Sequence, residues 1–284
     1  MATVIQQLSE GLWRVDVPSA TWAPYLATAC YWVGSSREVV LIDSGDGSHA
    51  ARQQLNESWA ELGYPRVKAL LVSHHHDDHS GGAVWAAENF QCPCCMSGTD
   101  VRRWSARHRA DTAAWRPLPA GQWTVGTVAL QIFAAPGHTP GQMNFWLPHE
   151  RILLCGDNVL GNTTSVIVPP DGDLAVYFTT LHRLLEFPAK LIAPAHGDIV
   201  THPHEYLRYY LDHRRERNQE ILDLLERSGP LSARSVAEAI YAGTLAESQM
   251  QLGEAMVRGH LQYSVRENLV TEDRGYYRRK AGGR

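Results

Sequence analysis

The stretch Ser73-His74-His75-His76-Asp77-Asp78-His79-Ser80-Gly81-Gly82 follows an apolar run, Val67-Lys68-Ala69-Leu70-Leu71-Val72, that is typical of a buried strand. It places four histidines and two aspartates within six consecutive positions. Imidazole and carboxylate groups are the side chains that bind borderline divalent metal ions. A protein core does not bury such groups without partners. The stretch therefore predicts a metal centre at the end of a strand.

The spacing of these residues divides them into two pairs of candidate ligands. Alternate residues of an extended backbone share a face, so His74 and His76 point the same way and can bind one metal ion. Asp78 and His79 follow where the strand ends and can turn towards a second ion nearby. The two glycines then allow a tight turn into a helix expected near residue 83. Two residues on the opposite face are expected to support the site: His75 and Asp77.

Four ligands cannot complete two metal sites, so other parts of the chain must supply more. Each of three further segments has one candidate ligand after an apolar, strand-like run. These ligands are His138 in Ala134-Ala135-Pro136-Gly137-His138-Thr139-Pro140-Gly141, Asp157 in Ile152-Leu153-Leu154-Cys155-Gly156-Asp157-Asn158, and His196 in Leu191-Ile192-Ala193-Pro194-Ala195-His196-Gly197-Asp198. One such segment is weak evidence, but four in this order form a strong joint signal.

In this order the segments resemble the metallo-β-lactamase superfamily of binuclear metal hydrolases. The resemblance covers residues from about 10 to 200. It includes Val39-Val40-Leu41-Ile42-Asp43-Ser44-Gly45, which is similar to the family's first strand motif, whose aspartate supports the site without binding metal. The ligands that the resemblance implies are His74, His76 and His138 for the first metal ion, Asp78, His79 and His196 for the second, and Asp157 as a bridge between them.

The bridging position also separates branches of the family. A carboxylate at Asp157 resembles the glyoxalase II, lactonase and ribonuclease branches, whereas true β-lactamases have a cysteine there or lack the bridge. Hydrolysis of β-lactams is therefore expected only as a weak side activity. The resemblance implies a hydroxide that bridges two divalent cations and attacks the substrate, because coordination lowers the pKa of water towards neutrality. Asp78 is the expected catalytic residue, which would both bind metal and orient that hydroxide. Zinc is the first expectation for these ligands, with iron or manganese as alternatives.

Composition places the chain among ordinary globular proteins. Its 284 residues are 44% apolar and 20% charged, which suits one large domain or a large and a small one with a sizeable core. The formal net charge of −4 gives no general attraction to nucleic acid or anionic membranes. The sequence shows neither a membrane-spanning run nor a signal peptide at its first residues, so we expect a cytoplasmic location and no membrane partner.

The five cysteines do not form a disulfide framework, as expected for a reducing compartment. The cluster Cys92-Pro93-Cys94-Cys95 lacks a partner Cys-x-x-Cys and lies where the family has a buried strand, so we interpret it as structural. Cys155 precedes Asp157 on a strand and is expected to be a buried thiol.

The pattern changes after Pro203, where strands give way to helices. Helical patterns cover residues 204–227, 232–241 with Ser232 as N-cap, and 247–267, and a hairpin is expected over residues 268–278. This order is that of a winged helix and is similar to the C-terminal appendage of the lactamase-beta-2-like group. We therefore predict an α+β protein in which residues 1–203 form a four-layer αββα sandwich and residues 204–284 form a small winged-helix-like domain.

Three functions remain open at this point. The first is hydrolysis of a thioester, ester or lactone in a small-molecule acyl substrate. Four aromatic residues would then line an apolar pocket: Trp22, Tyr25, Tyr177 and Phe178. The second is a metal-dependent endoribonuclease acting on single-stranded RNA. The third is a non-enzymatic protein with structural metal ions, which a bridging carboxylate argues against because structural sites are normally closed.

The charge of the C-terminal region favours the acyl hydrolase over the ribonuclease. From residue 203 onward, 13 Lys and Arg stand against 12 Asp and Glu. The basic residues gather only at the extreme end: Arg274, Arg278, Arg279, Lys280 and Arg284. Nucleic-acid binders usually carry a basic stripe across a face. The sequence leaves the oligomeric state open.

Overall fold

The apolar strands around the histidine-rich stretch belong to one of two folded units. The computed structural model describes residues 4–21 and 24–280. The first unit comprises Met1–Thr164 with Pro188–Pro203, and the second comprises Ser165–Phe187 with His204–Arg284. Residues 165–187 thus group with the C-terminal helices, and the two-domain division at residue 203 stays a prediction.

The first sheet has seven strands that lie side by side in chain order. They are β1 (Ile5–Ser9), β2 (Leu12–Pro18), β3 (Ala27–Gly34), β4 (Glu38–Ile42), β5 (Arg66–Leu71), β6 (Cys94–Met96) and β7 (Trp115–Pro117). The strands from β1 to β4 pair antiparallel, and those from β4 to β7 pair parallel. Parallel neighbours need crossover connections. The helices in these connections are α1 (His49–Glu61), α2 (Asp77–Ser80), α3 (Ala83–Asn89) and α4 (Gly98–His108).

The second sheet has five strands in the order β12-β11-β10-β9-β8. They are β8 (Gly121–Val125), β9 (Val128–Ala134), β10 (Met143–Leu147), β11 (Ile152–Leu154) and β12 (Leu191–Ala193). Only the β11–β12 pair within this sheet is parallel, and the remaining pairs are antiparallel.

The first sheet is apolar on both faces because it lies between helices and the second sheet. Successive side chains of a strand point to opposite faces. In β4, Val40 and Ile42 pack in one core with Phe145 of the second sheet. Val39 and Leu41 pack in a separate core with the helices. Helices, first sheet and second sheet thus form successive layers of the first unit, and the α+β class is confirmed.

The second unit contains the predicted C-terminal helices and hairpin. Its elements are α5 (Leu174–Leu185), α6 (Pro203–Ser228), β13 (Leu231–Ser232), α7 (Ala233–Ile240), a 3-10 turn (Glu247–Gln249), α8 (Met250–Arg266), β14 (Val270–Asp273) and β15 (Tyr276–Arg279). Ser232 is the N-cap of α7, as predicted, and accepts a hydrogen bond from Ser235 N. The three strands form an antiparallel sheet. The winged-helix assignment of this arrangement stays a prediction. None of the helices described is long and apolar enough to cross a membrane.

A buried histidine joins two helices of this unit. His260 on α8 is 3% exposed, and its Nδ1 lies 3.3 Å from Oδ1 of Asn218 on α6. Burial, together with the nearby charges of Arg214 and Arg217, lowers the pKa of His260 to about 3. The folded protein therefore keeps this imidazole neutral well below the pH at which the unfolded chain would protonate it.

This difference predicts acid sensitivity. Between pH 6.5 and 3 the unfolded state binds a proton at His260 that the folded state does not, so stability falls as the pH falls through this window. Replacing His260→Gln should remove up to about 2 kcal/mol of the stability loss between pH 6.5 and 5, measured by urea unfolding. The control is His204→Gln at an exposed position of α6. An unchanged pH slope in the His260 variant would contradict the assignment.

Candidate metal centre

The histidine-rich stretch leaves β5 as a loop and then becomes a short helix. β5 ends at Leu71, so His74 and His76 lie in the loop beyond it and not within an extended strand. Asp78 and His79 lie on α2, which begins directly after His76. The turn of Asp78 and His79 is therefore made by a helix, whereas the spacing predicted only that these residues turn where the strand ends.

Close backbone packing explains the glycines after α2. A Cβ atom on Gly81 would lie 2.5 Å from Asp77 O and 2.6 Å from Asp46 O, so only glycine fits there. The chain then enters α3 at Ala83, as predicted.

Three histidines form the first group of donor atoms. His74 Nε2 and His138 Nε2 each lie 3.0 Å from His76 Nδ1. His138 comes from the loop that follows β9 of the second sheet, whereas the other two follow β5 of the first sheet. The rings of His74 and His138 are buried. The group therefore forms where the two sheets meet.

The second group lies directly beside the first. His196, which follows β12, has its Nε2 3.2 Å from Asp78 Oδ2 and 3.3 Å from His79 Nε2. Asp157, which follows β11, lies between the groups. Its Oδ1 is 3.3 Å from His79 Nε2, and its Oδ2 is 3.7 Å from His138 Nε2. The structure thus brings all seven predicted ligands into one cluster, and the bridging role of Asp157 stays a prediction.

Asp43 supports the cluster through contacts with Ser73 and His79. Its Oδ1 accepts a hydrogen bond from Ser73 N at 2.7 Å, and its Oδ2 accepts one from Ser73 Oγ at 2.8 Å. The same Oδ2 lies 2.9 Å from His79 Nδ1, which leaves Nε2 of that ring facing the cluster. A carboxylate on the far nitrogen of a ligating histidine is a common way to fix its tautomer and direction.

Asp100, which the sequence analysis missed, connects the two loops of the first group. This buried residue of α4 accepts hydrogen bonds at Oδ2 from His75 N at 3.1 Å and from Thr139 Oγ1 at 2.8 Å. His75 lies between two candidate ligands, and Thr139 follows His138. One carboxylate therefore holds both loops, but no local motif marks it, because its partners are 25 and 39 residues away.

The charges of the cluster balance one another. Burial alone would raise the pKa of Asp78, but His79 and the hydrogen bond to His196 lower it to about 2. In the same way, His196 and His79 hold the pKa of the buried Asp157 well below its usual range. Burial would lower the pKa of His79, yet Asp157 and Asp78 raise it well above its usual value. Burial and neighbouring imidazoles lower the pKa of His74, so this ring is neutral and offers a lone pair.

The donor set fits divalent cations. Each group of three donors has its ligand atoms within 4.8 Å of one another. Ligands at about 2.0–2.1 Å from a tetrahedral zinc ion are separated by about 3.3 Å, which is close to the 3.0 and 3.3 Å between the ring nitrogens here. Imidazole and carboxylate together also suit iron and manganese.

The residues predicted to line a substrate pocket or to support the site lie in different parts of the structure. The ring of Tyr25 stacks on His196 with centroids 5.3 Å apart. Trp22 lies outside the described residues, and Tyr177 and Phe178 belong to α5 of the second unit. Their role in a substrate pocket stays a prediction. Asp77, one of the two residues expected only to support the site, pairs with Arg107 at 2.7 Å.

The cysteines occupy structural positions. Cys94 and Cys95 lie on β6 and are buried, and Cys155 is fully buried with its Sγ 3.4 Å from Val159 O. Burial raises the pKa of the Cys92 thiol to about 11 and that of Cys155 further. These thiols are therefore protonated at neutral pH, as expected for packing residues.

The family model of the metallo-β-lactamase superfamily matches residues 23–196, which include all seven predicted ligands. The chain belongs to the metallo-β-lactamase superfamily. This membership identifies the protein as a hydrolase and disfavours the non-enzymatic alternative.

Relatives and solved structures of the superfamily cover most of the chain. A beta-lactamase-like protein 2 homolog from Caenorhabditis elegans is 25% identical over 84% of this chain and 79% of that protein. An atrochrysone carboxyl ACP thioesterase from Aspergillus chevalieri is 26% identical over 86% of this chain and 77% of that protein. The crystal structure of a metallo-β-lactamase family protein from Thermus thermophilus matches with a TM-score of 0.81 and 24% identity, over 95% of this chain and 99% of that one. The superfamily fold is thereby confirmed.

The contacts of Asp43 predict the effect of neutralising it. Asp43 has a φ of 62°, a conformation that asparagine also adopts, so Asp43→Asn tests the carboxylate with little change to the backbone. We expect the unfolding free energy of the metal-free protein to fall by about 1–3 kcal/mol, because buried donors lose an acceptor. Metal affinity should weaken roughly 10- to 100-fold.

Denaturant unfolding with chelator and metal titration measure the two effects. The matched control is Asp111→Asn in an exposed loop. If Asp43→Asn behaves like this control, the supporting role of Asp43 is wrong.

Proposed function

We propose that this protein is a binuclear metal-dependent hydrolase of acyl thioesters, with esters and lactones as related substrates. The observation that carries the proposal is the position of Asp157, which lies within 3.7 Å of a donor nitrogen of each histidine group. A single-metal site has no need of two complete donor groups joined by a carboxylate.

Each group would hold one divalent cation. The residues concerned are His74, His76 and His138 for the first, Asp78, His79 and His196 for the second, and Asp157 for both. When bound, the cations would polarise the acyl carbonyl and activate a water molecule for attack. Zinc is the first candidate and iron or manganese the alternatives.

The protein's own carboxylates contribute charge and proton handling. Asp157 is buried and ionised, so it offsets cationic charge where two ions would repel each other. Asp78 is partly exposed and has a pKa of about 2, so it stays ionised at neutral pH and can accept a hydrogen bond from the attacking water at a carboxylate oxygen. This is the catalytic role predicted for Asp78.

The basicity of the leaving group favours a thioester over an ester as the substrate. An ordinary thiol has a pKa of about 8.5, so a thiolate can leave near neutral pH without a proton donor. An alkoxide leaving group is far more basic and requires one. The thioesterase names of the relatives from Aspergillus chevalieri and Paecilomyces divaricatus support the same class.

Apolar surface beside the cluster supports an acyl substrate. Tyr25 is half-buried and stacks on His196. Leu26, the next residue in the chain, is 83% exposed. An acyl chain gains binding energy from such surface, whereas a phosphodiester backbone requires positive charge.

The ribonuclease alternative has less support. Arg279, one of the C-terminal basic residues, lies 3.0 Å from Asp223 and 2.7 Å from Glu226. Lys280 is hydrogen-bonded to Asn268. Basic groups that are already paired contribute less to phosphate binding.

A substrate panel tests the proposal. Thioester, lactone and single-stranded RNA substrates are incubated with metal-loaded protein, with and without chelator. We expect chelator-sensitive release of thiol from the thioester. The His76→Ala and Asp157→Ala variants should lose bound metal, and their activity should fall at least about 100-fold. Mutation of residues that only support a metal ligand already lowers metal affinity or activity 10- to 100-fold.

The control is His149→Ala, which changes an exposed histidine between β10 and β11. Full turnover by a ligand variant that contains no metal would exclude the metal-dependent mechanism. Chelator-sensitive cleavage of RNA without thioester hydrolysis would replace the acyl assignment with the ribonuclease alternative.

A further inference from the structure

The backbone that carries His196 is hydrogen-bonded at four successive carbonyl groups. The donors are Tyr31 Oη to Pro194 O at 2.6 Å, Ala29 N to Ala195 O at 2.7 Å, Gly161 N to His196 O at 2.8 Å, and Arg14 Nη2 to Gly197 O at 2.9 Å. Three of the four donors belong to β2 and β3 of the first sheet, although the loop itself continues β12 of the second sheet.

Arg14 and Tyr31 act as a pair. They are directly opposite each other in the antiparallel register of β2 and β3. Tyr31 is 3% exposed, and the side chain of Arg14 is 12% exposed. Asp16 lies 2.7 Å from Arg14 Nε and so orients the guanidinium, which leaves Nη2 for the loop. Two adjacent side chains of one hairpin therefore bind the carbonyl groups of Pro194 and Gly197, which lie on either side of His196.

The loop has little room to adjust if these bonds are lost. Gly197 has a φ of 82°, and a Cβ atom there would lie 2.9 Å from Gly161 N. On the other side, His196 Nδ1 lies 2.9 Å from Ala27 O, so the ring donates from Nδ1 and presents Nε2 to the cluster. The position of Nε2 thus depends on where the backbone of residues 194–197 is held.

We infer that Arg14 and Tyr31 are positioning residues for the second metal ion. They hold the His196 loop so that Nε2 remains 3.2 Å from Asp78 and 3.3 Å from His79, the other members of the second group. The first group includes His138, which lies on a different loop, after β9. Metal binding by the first group should therefore not depend on Arg14 and Tyr31. The inference rests on the proposed two-ion function.

Stepwise metal binding tests the inference without using activity. Metal-free protein is titrated with cobalt(II), and binding is followed by absorption in competition with a chelator. The first group offers three imidazoles and the second offers two imidazoles and a carboxylate, so the two bound ions differ in spectrum. His138→Ala and His196→Ala identify which step belongs to which group.

The test variants are Tyr31→Phe, which removes only the hydroxyl, and Arg14→Met, which keeps an unbranched apolar stem but removes the guanidinium. We expect a second-group step that is roughly 10- to 100-fold weaker in each variant, with the first-group step unchanged. The matched controls are Tyr64→Phe and Arg37→Met, which change exposed residues of the same unit and should bind both ions like the wild type.

Thermal unfolding of the metal-free variants separates positioning from stability. If both binding steps are unchanged, or if both weaken equally, the positioning role is wrong. If Tyr31→Phe does not fold, Arg14→Met, which alters a less buried side chain, decides the question alone. Wild-type protein that binds fewer than two cobalt ions would overturn the two-ion function itself, a result that differs from failure of the variants alone.

Discussion

The buried carboxylate of Asp157 is the interaction on which the rest of the site depends. An ionised carboxylate in a protein interior requires compensating charge or hydrogen bonds. Here the compensation comes from imidazoles, because His79, His138 and His196 all lie within 3.7 Å of it. These histidines come from three separate segments of the chain, which are α2, the loop after β9 and the loop after β12. The charge balance can therefore form only after all three segments have been brought together.

The packing of the two sheets provides that convergence. Val40 and Ile42 of the first sheet share a core with Phe145 of the second, which fixes the distance between the sheets. The loops after β5, β9, β11 and β12 then meet where these strands end. A densely packed core resists displacement, so it holds polar groups that would otherwise separate. The apolar core therefore both stabilises the fold and fixes the geometry of the site.

Buried hydrogen bonds set the final positions within this frame. Asp43 orients His79, Asp100 connects the loops next to His76 and His138, and the hairpin of β2 and β3 holds the loop of His196. Each contact joins a segment that carries candidate metal ligands to a residue of the first sheet, of a helix or of the loop after β4. Donor groups supported in this way keep their geometry when charged groups bind or leave, which a catalytic site needs for repeated turnover.

The seven residues that the structure brings together were predictable from sequence as candidate ligands, and so was the position of Asp43 beside them. Metal binding requires particular side-chain chemistry, and short motifs display it, as His74 and His76 illustrate. Helices such as α6 were also predictable, since their apolar periodicity is a local property. Tertiary structure alone decided that Asp78 and His79 lie on a helix, that Asp100 joins two loops, and that Arg14 and Tyr31 reach the loop of His196. Those last contacts span 183 and 163 residues. Arginine and tyrosine in a strand have no distinctive local pattern, so their role arises only from the packing of one sheet against the other.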